Sequence, residues 1–490
     1  MIDQPNLENV EVAIIKGNTP KEGVLEGIEK LGGISKFINK GDQVFIKFNL
    51  NLPHGFPTNT NFNVLKALIK SCKKAGANKI YLGSFPVKGF SIYAISNLLK
   101  LHNYFETLGA ELVYLDNSNY YNQKGIKPDK LKEIKEKSFS KVEVYNNEIK
   151  FPNIVLNSDK LILVNQVNVE PLFKCNLSIL NYYSIIPNAY QEIEKNVRAG
   201  KDYLFLDQYK QDLVSKIIDI STIKKPDLVI NDLFYIMEEA GPYIYKDSKL
   251  KTTGLIIVGN DPIAVDLITL NLMNINKVDS KLILEAQNKK VGITDISKLN
   301  LLGERFEDNR INVSLCASKL ENIKTPNFSI RSGSFCSGCS KQAYHFLNFI
   351  KMHMRKDVKY NPKNSFLIGE NPLDPEHFEH IILFGDCCIN STKNRSFRKV
   401  IKKSHKNVAN ESKQKKFKKV KSTKKGKTKV KLNKKILELP GCPPDIFSSL
   451  ELLLKYYGKK NSPNLKLISE MIKSWRPQQT KEKLELWEAL

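Results

Sequence analysis

The stretch Gln43-Val-Phe-Ile-Lys-Phe48 predicts a buried strand, and the segments on both sides of it share one repeating pattern. Short runs rich in β-branched residues predict three more strands, at 10–15, 79–82 and 111–115. Apolar residues with helical spacing lie between the strands, at 21–31, 62–75 and 92–108. This alternation of strands and helices predicts a parallel sheet that helices cover on both faces.

A second set of similar segments follows. It predicts strands near 142–147, 160–165, 227–231 and 254–258, and helices near 172–185, 208–220, 262–273 and 278–289. The pattern loosens around 300–335, where we expect a domain boundary. We therefore predict an α/β protein with mostly parallel sheets and flanking helices in two lobes, about 1–150 and 151–320. A smaller C-terminal α/β domain, built from 321–392 and 436–490, should follow.

The composition is that of a soluble globular protein. Apolar residues make up 41% and charged residues 26% of the 490 residues, which excludes a wholly disordered chain. No apolar run approaches the roughly 20 residues that a membrane-spanning helix needs. The first residues lack a basic stretch followed by an apolar one, so we expect no secretory signal. These features predict a cytoplasmic protein without a membrane span.

One segment carries most of the net charge of +26. Residues 393–435 hold 20 Lys and Arg and a single acid, Glu411, so the rest of the chain is only mildly basic. Because this segment has few aromatic residues and no periodicity, it cannot form a core, and we predict a disordered Lys-rich insertion. It should bind nucleic acid nonspecifically through counterion release, unless it is only a solvated loop.

Five of the eight cysteines fall between residues 336 and 442. They lie in three motifs, Cys336-Ser-Gly-Cys339, Gly385-Asp-Cys387-Cys388 and Pro440-Gly-Cys442-Pro-Pro444. The last two motifs each follow an apolar stretch that predicts a strand, so their cysteines should meet at one edge of a sheet. Without the Lys-rich insertion, 11 residues separate Cys387 from Cys442, an ordinary connection between strands. The pattern predicts a single metal centre.

These motifs, in this order, resemble the ligands of the proximal 4Fe–4S cluster in the small subunit of nickel–iron hydrogenases. They also resemble the related quinone-reductase subunit of respiratory complex I. The resemblance implies a 4Fe–4S cluster held by Cys336, Cys339, Cys387 and Cys442. It covers only these loops, so it implies a similar cluster site and not a hydrogenase. Cys388 has no counterpart in the hydrogenase motif, and the sequence leaves open whether it replaces Cys387.

Two functions stay open at the level of sequence. The first is an iron–sulfur protein with a redox or electron-transfer role, such as an oxidoreductase, together with an unidentified redox partner protein. The second is a nucleic-acid-binding protein that uses the Lys-rich insertion and is stabilised by zinc or by a structural cluster. Four cysteines also suit a structural zinc site, but zinc usually takes two C-x-x-C pairs and this chain has one. The motifs therefore favour the cluster.

Several segments between residues 9 and 303 resemble the domain-of-unknown-function 362 family. The matching pieces are G-D-Q-V-F-I-K-F-N-L at 41–50, A-G-A at 75–77, K-P-D-L at 225–228, Gly241-Pro242 and G-N-D-P-I-A-V-D at 259–266. The resemblance implies a two-lobed α/β fold of unsettled activity that often accompanies iron–sulfur modules. Where the family has K-L-K-T-H, this chain has Gln166-Val-Asn-Val-Glu170. The loss of these cationic groups suggests a different substrate or a scaffolding role.

Four residues of this region are candidates for binding a ligand. Lys47 and Asn49 lie at the carboxyl end of a predicted strand, where α/β sheets bind ligands, and a lysine there can hold a phosphate or a carboxylate. Asp232 and Glu238 follow another predicted strand and can supply carboxylates to a metal or to a proton transfer. The structural alternative for Lys47 is an edge residue whose ammonium group extends to solvent.

Overall fold

The computed structural model describes residues 10–53, 55–86, 91–121, 126–144, 147–187, 206–325, 327–353, 363–398 and 435–457. The described residues divide into two compact units, one within 10–316 and the other within 317–457. The predicted boundary at 320 lies close to this division. Among the helices of the described ranges, none combines the length and the apolar character that a membrane crossing requires.

The first unit is a sheet with helices packed against it. Its strands are β1 (Glu11–Lys16), β2 (Gln43–Phe48), β3 (Lys79–Gly83), β4 (Glu111–Leu112), β5 (Phe139–Val144), β6 (Asn147–Pro152), β7 (Lys160–Glu170), β8 (Lys174–Asn176), β9 (Leu228–Glu238), β10 (Lys249–Thr252), β11 (Leu255–Gly259) and β12 (Asn300–Gly303). Its helices are α1 (Pro20–Lys30), α2 (Phe62–Lys74), α3 (Ile92–Leu99), α4 (Leu101–Thr107), α5 (Ser118–Tyr121), α6 (Pro128–Ser138), α7 (Asn153–Leu156), α8 (Ser178–Tyr183), α9 (Leu206–Ser221), α10 (Pro262–Leu272) and α11 (Lys281–Asn288).

The main sheet has the strand order β12-β1-β11-β9-β7-β2-β3-β4, with β10 added beside β9 and β8 beside β7. Strands β9, β7, β2, β3 and β4 run parallel, and β12 runs parallel to β1. Strand β11 runs antiparallel to both of its neighbours. The predicted fold class, α/β with a mostly parallel sheet and flanking helices, is confirmed.

Strands from both predicted lobes belong to this one sheet. Strand β2, from the first lobe, pairs with β7 from the second, and β1 pairs with β11. The division expected near residue 150 therefore does not divide the sheet. Residues 139–152 form a separate two-stranded hairpin of β5 and β6, instead of the single strand predicted near 142–147.

Two predicted helices differ in the structure. The helix expected over 92–108 is broken at Lys100, which has a left-handed backbone (φ 54°) and whose N–H bonds the Ser96 carbonyl to end α3. The helix expected over 172–185 begins instead as strand β8, because Lys174–Asn176 pairs with the end of β7. In the second case the pairing with a neighbouring strand overrides a local helical pattern.

The second unit is a smaller α/β layer. It contains strands β13 (Phe328–Ser332), β14 (Asn364–Ile368), β15 (His380–Phe384) and β16 (Lys435–Leu439), and helices α12 (Ser337–His353), α13 (Asp386–Ser391) and α14 (Ile446–Tyr457). The strands lie in the order β13-β14-β15-β16, and every neighbouring pair is parallel. The predicted smaller α/β domain is thus present in the described part of the chain.

Both faces of this small sheet are covered by apolar side chains. On one face, Phe346 of α12 stacks on Phe366, with ring centroids 5.9 Å apart, and it also contacts Phe384. On the other face, a buried cluster contains Leu367, Ile381, Leu383, Cys388 and Phe397. Residues that alternate along β14 and β15 therefore serve opposite faces, as a strand requires when it is buried on both sides.

The first residues of the predicted Lys-rich insertion belong to the fold. Phe397 is only 2% exposed, and Arg398 forms an ion pair with Glu438 of β16. The prediction of disorder from residue 393 is therefore wrong for 393–398, because an aromatic residue at 397 joins the core. The rest of the insertion up to 434, and the predicted C-terminal segment 458–490, lie outside the described residues.

Candidate metal centre and buried polar residues

The three cysteine motifs of the second unit leave the same edge of its sheet. Cys336 follows β13 and directly precedes α12, Cys387 lies in the first turn of α13 after β15, and Cys442 follows β16. Parallel strands end at a common edge, and Phe384 and Leu439, the last residues of β15 and β16, pair with each other. The register of the sheet therefore directs these loops to one place, as the sequence predicts.

Cys339 is the most buried of the four candidate thiols, at 5% exposure. Its pKa is raised by a hydrogen bond with Cys336, by burial, and by the charges of Cys336, Cys442 and Cys387. All three partners thus lie near enough to act on Cys339 electrostatically. This crowding raises the cost of ionising Cys339, a cost that a bound metal cation would remove because it would stabilise the thiolate.

Backbone hydrogen bonds join the Cys387 loop to the Cys442 loop. The Gly385 N–H donates to the Leu439 carbonyl at 2.9 Å, and the Asp386 N–H donates to the Gly441 carbonyl at 3.1 Å. In return, the Gly441 N–H donates to Oδ1 of Asp386 at 2.9 Å. Asp386 therefore ties the two cysteine loops together through its backbone and its side chain. Its place between Gly385 and Cys387 is the signal by which the sequence could have revealed it.

Glycine is favoured at 385 by its backbone conformation, because its φ of 90° lies in the region that L side chains rarely adopt. A Cβ atom at this position would stand 3.4 Å from Sγ of Cys339, an ordinary van der Waals contact. The Cys387 loop therefore packs directly against the Cys339 thiol.

The structure separates the two adjacent cysteines of the second motif. Cys387 is exposed and acts on Cys339, whereas Cys388 is buried in the apolar cluster of the opposite face. The Cys388 thiol donates a hydrogen bond to the Leu367 carbonyl at 3.3 Å, and burial raises its pKa to about 12. Cys387 is thus the one of the two that belongs with the other candidate ligands.

Zinc and an iron–sulfur cluster place different demands on the spacing of these thiols. Among the described residues, no three His, Cys, Asp or Glu side chains stand close enough to hold one metal ion. Four thiolates on one zinc ion must each approach it to about 2.3 Å. In a 4Fe–4S cluster each thiolate binds a different iron, so the four sulfurs stand further apart.

In the first unit, Lys47 and Asn49 meet through a third residue. Lys47 is fully buried, and its ammonium group donates to the Phe48 carbonyl (2.9 Å), to Oγ of Ser84 (3.0 Å) and to Oδ1 of Asn181 (2.7 Å). Asn49 Nδ2 donates to the same Asn181 oxygen at 3.2 Å. Asn181, which the sequence did not single out, therefore joins the two predicted residues.

This environment does not resemble an exposed edge lysine. Strand β2 lies between β7 and β3, and burial holds the pKa of Lys47 well below its usual range. The structural alternative of an edge residue that extends to solvent is therefore wrong. Its nitrogen has three protein acceptors, at least as many as it has N–H groups in either protonation state, so in this conformation none points toward a phosphate or carboxylate ligand.

Asp232 and Glu238 lie on the same strand, β9, but have different surroundings. Asp232 is fully buried, its Oδ1 accepts from the Phe234 N–H at 2.9 Å, and burial raises its pKa to about 7. Glu238 is partly exposed and accepts from the Ser314 N–H at 3.1 Å. The two carboxylates thus accept from different donors in the described part of the chain, and the predicted carboxylate pair stays a prediction.

Comparison with known proteins finds a family model that matches part of the chain. No curated protein and no solved structure is significantly similar to it. Residues 44–271 match the family model described as Domain of unknown function (DUF362). The matched range contains Lys47, Asn49, Asp232 and Glu238, and it includes most of the strands of the main sheet. The match supports the placement of this region in the DUF362 family.

Proposed function

We propose that the second unit binds a 4Fe–4S cluster through Cys336, Cys339, Cys387 and Cys442 and takes part in electron transfer. The observation that carries this proposal is geometric: the Cys387 and Cys442 loops are hydrogen-bonded to each other, and Gly385 of the first of them packs against Sγ of Cys339. These four residues are also the ligands that the resemblance to the hydrogenase small subunit implies. Zinc bound by the same four cysteines is the competing assignment.

The surroundings of the thiols fit such a cluster. Cys339 is buried between the loops, Cys336 and Cys442 are partly exposed, and Cys387 is exposed. A cluster held by them would be shielded on the Cys339 side and near solvent on the Cys387 side. An iron–sulfur cluster supplies one-electron redox chemistry, with a potential set by hydrogen bonds to the sulfurs and by exposure. Exposure at Cys387 suits electron exchange with another protein.

The ligand assignment is tested with a matched pair of adjacent residues. We expect the Cys387→Ser variant, purified without oxygen, to lose most of its iron and sulfide or to yield an altered cluster. The Cys388→Ser variant should keep the wild-type content, because its thiol lies in the apolar cluster and serine can still donate to the Leu367 carbonyl. Iron and acid-labile sulfide are measured per chain, together with the absorption band at roughly 400 nm.

Two results would count against the proposal. The first is a Cys388→Ser variant that loses the cluster while Cys387→Ser keeps it, since the fourth ligand would then be Cys388. The second is zinc in place of iron, without sulfide, in wild-type protein. Circular dichroism of both variants shows whether a loss of metal merely follows a loss of fold.

A further inference from the structure

The strand order of the first unit reverses between β2 and β7. From β2 the chain continues outward on one side through β3 and β4, whereas β7 and then β9 are added on the other side. All five strands are parallel. In open α/β sheets, ligands bind outside the carboxyl ends of the strands at such a reversal. The topology alone therefore predicts a ligand site just beyond the carboxyl ends of β2 and β7.

The loop that follows β2 crosses β7 at this place. Asn168 Nδ2 donates to the Pro57 carbonyl at 2.8 Å, and Oγ1 of Thr60 donates to the Val164 carbonyl at 3.3 Å. Thr58 lies between Pro57 and Thr60, the two residues that make these hydrogen bonds. The loop therefore passes β7 between Val164 and Asn168, where Gln166 lies. The loop is also fastened to the next strand, since Phe56 packs edge-to-face on Tyr235 of β9 with ring centroids 5.7 Å apart.

Three side-chain oxygens in this area are buried and unsatisfied. They are Oγ1 of Thr58, Oε1 of Gln166 and Oδ2 of Asp232, which have no hydrogen-bond partner among the residues that the structure describes. The three residues are each 0% exposed. Gln166 and Asp232 are direct partners in the register of β7 and β9, so their side chains leave the same face of the sheet. Buried polar atoms without partners are rare because each one carries a desolvation cost.

The orientation of the Gln166 amide is fixed by its other contacts. Its Nε2 donates to the Tyr235 carbonyl at 2.8 Å and to the Asp232 carbonyl at 3.3 Å. A flipped amide would place an oxygen against two carbonyl oxygens, so Oε1 must be the unsatisfied atom. Oε1 of Gln166 can therefore only accept a hydrogen bond. The same holds for Oδ2 of Asp232 whenever this carboxyl group is ionised.

The chemistry of these three oxygens determines which charge a bound ligand should carry. A carboxylate, an amide oxygen and a hydroxyl offer lone pairs to a positive group, and they are the ligand types of hard metal cations. Within the described part of the chain, the amino group of Lys47 already donates to Phe48, Ser84 and Asn181, so it offers no free donor to an anion.

We propose that Thr58, Gln166 and Asp232 form a buried binding site for a small cation, either a hard metal ion or the ammonium group of a ligand. The site lies where the order of the parallel strands reverses. It is independent of the proposed iron–sulfur function, because it lies in the first unit and involves none of the candidate cysteine ligands.

The test compares a buried and an exposed carboxylate of the main sheet in the full-length protein. Mn²⁺ is titrated into wild type, Asp232→Asn and Glu111→Gln, whose carboxylate is exposed on β4, and unbound Mn²⁺ is followed by its paramagnetic resonance signal. In a second arm, hydrogen exchange in β7 and β9 is compared in ammonium chloride and in choline chloride, whose cation is too bulky for a buried site. The first arm reports a metal ion and the second an ammonium group.

We expect wild type to respond in at least one arm. Asp232→Asn should weaken Mn²⁺ binding by about ten-fold or more, or abolish the protection by ammonium, while Glu111→Gln should match wild type. The proposal is overturned if wild type responds in neither arm, or if the two variants lose the response equally. Should Asp232→Asn fail to fold, Thr58→Val takes its place, since it removes only the hydroxyl and keeps the shape; an unchanged response in that variant contradicts the proposal.

Discussion

Single residues decide the chemistry of both units. Cys387 and Cys388 are adjacent in sequence, yet one is exposed beside the other candidate thiols and the other lies in an apolar cluster. Asp232 and Glu238 share a strand, yet only Asp232 is fully buried with an unsatisfied oxygen. In each pair the two side chains carry the same functional group. Burial and neighbouring residues therefore distinguish the candidate ligand, Cys387 in one pair and Asp232 in the other.

Asp232 should make the stability of the first unit depend on pH. Burial raises its pKa to about 7, whereas the pKa of an unfolded aspartate is about 3.9. Between these values the folded state binds the extra proton, so the free energy of unfolding falls as the pH rises toward 7. Asp232→Asn cannot titrate. Between pH of about 5.5 and 8, the free energy of unfolding of wild type should therefore fall by roughly 2 kcal/mol relative to that of Asp232→Asn.

This prediction is checked by hydrogen exchange of β9 peptides at the two pH values, in the presence of a chelator. Exchange rates are corrected for their intrinsic pH dependence, and Glu238→Gln serves as the control because its carboxylate is partly exposed. A stability difference between Asp232→Asn and wild type that is the same at both pH values would show that Asp232 does not titrate in this range.

Gly385→Ala should weaken both the fold and the metal centre. A non-glycine residue at a φ of 90° costs about 1–3 kcal/mol, and the new methyl group would stand 3.4 Å from Sγ of Cys339. We expect a lower unfolding temperature and a lower iron content. Gly41→Ala is the control, because Gly41 has a φ of 94° but a methyl group there would have no atom within 4 Å. Equal iron loss in both variants would show that the position of Gly385 beside Cys339 does not matter for the metal centre.

At the scale of elements, the cysteine motifs are placed by the ends of parallel strands and by the contacts between their loops. Asp386 accepts from the Gly441 N–H and donates its own N–H to the Gly441 carbonyl. The Cys387 and Cys442 loops are therefore coupled by the protein's own hydrogen bonds, which would preorganise the proposed cluster site. Such preorganisation reduces the entropy that binding must otherwise overcome.

Removal of the Asp386 carboxylate should loosen this coupling. In Asp386→Ala, the Gly441 N–H loses a charged acceptor, a change worth about 1.5–3 kcal/mol. We expect this variant to lose iron faster than wild type when it is challenged with a chelator. Asp386→Asn keeps an Oδ1 acceptor in the same place and should lose iron at a rate close to that of wild type. Identical rates for the alanine and asparagine variants, both faster than wild type, would instead indicate that the charge matters and not the hydrogen bond.

Phe397 tests how far the fold of the second unit extends into the Lys-rich insertion. Truncation of a buried phenylalanine costs about 3–5 kcal/mol, and Phe397 is 2% exposed. We expect Phe397→Ala to lower the stability of this unit by that amount in denaturant unfolding. The control is Phe378→Ala, since Phe378 is 42% exposed and should contribute little. Equally small effects for both variants would show that Phe397 does not pack in the core, and residues 393–398 would then belong to the insertion.

At the scale of the whole molecule, the sequence predicts the fold class better than the domain organisation. Long β-branched runs such as β2 and β11 are buried on both faces, and they indicate an α/β sheet through composition alone. Pairing between β2 and β7 joins residues more than a hundred positions apart, which no local periodicity encodes. For this reason the sequence suggests two lobes where the structure has one continuous sheet.

The same difference explains which site residues could be predicted. The cysteines lie in short motifs directly after strands, so their arrival at one edge of the second unit's sheet follows from local sequence. The environment of Lys47 depends on Ser84 and Asn181, which come from distant elements, so local sequence does not predict its burial. The cation site that we propose also depends on a distant pairing, that of Gln166 with Asp232.

The most direct test of the central claim is the metal content and electron resonance of the wild-type chain, purified and kept under nitrogen. We predict about four irons and four sulfides per chain, and a low-temperature resonance signal that appears when dithionite adds one electron. Protein that contains one zinc per chain, lacks sulfide and gives no signal after reduction would contradict the claim.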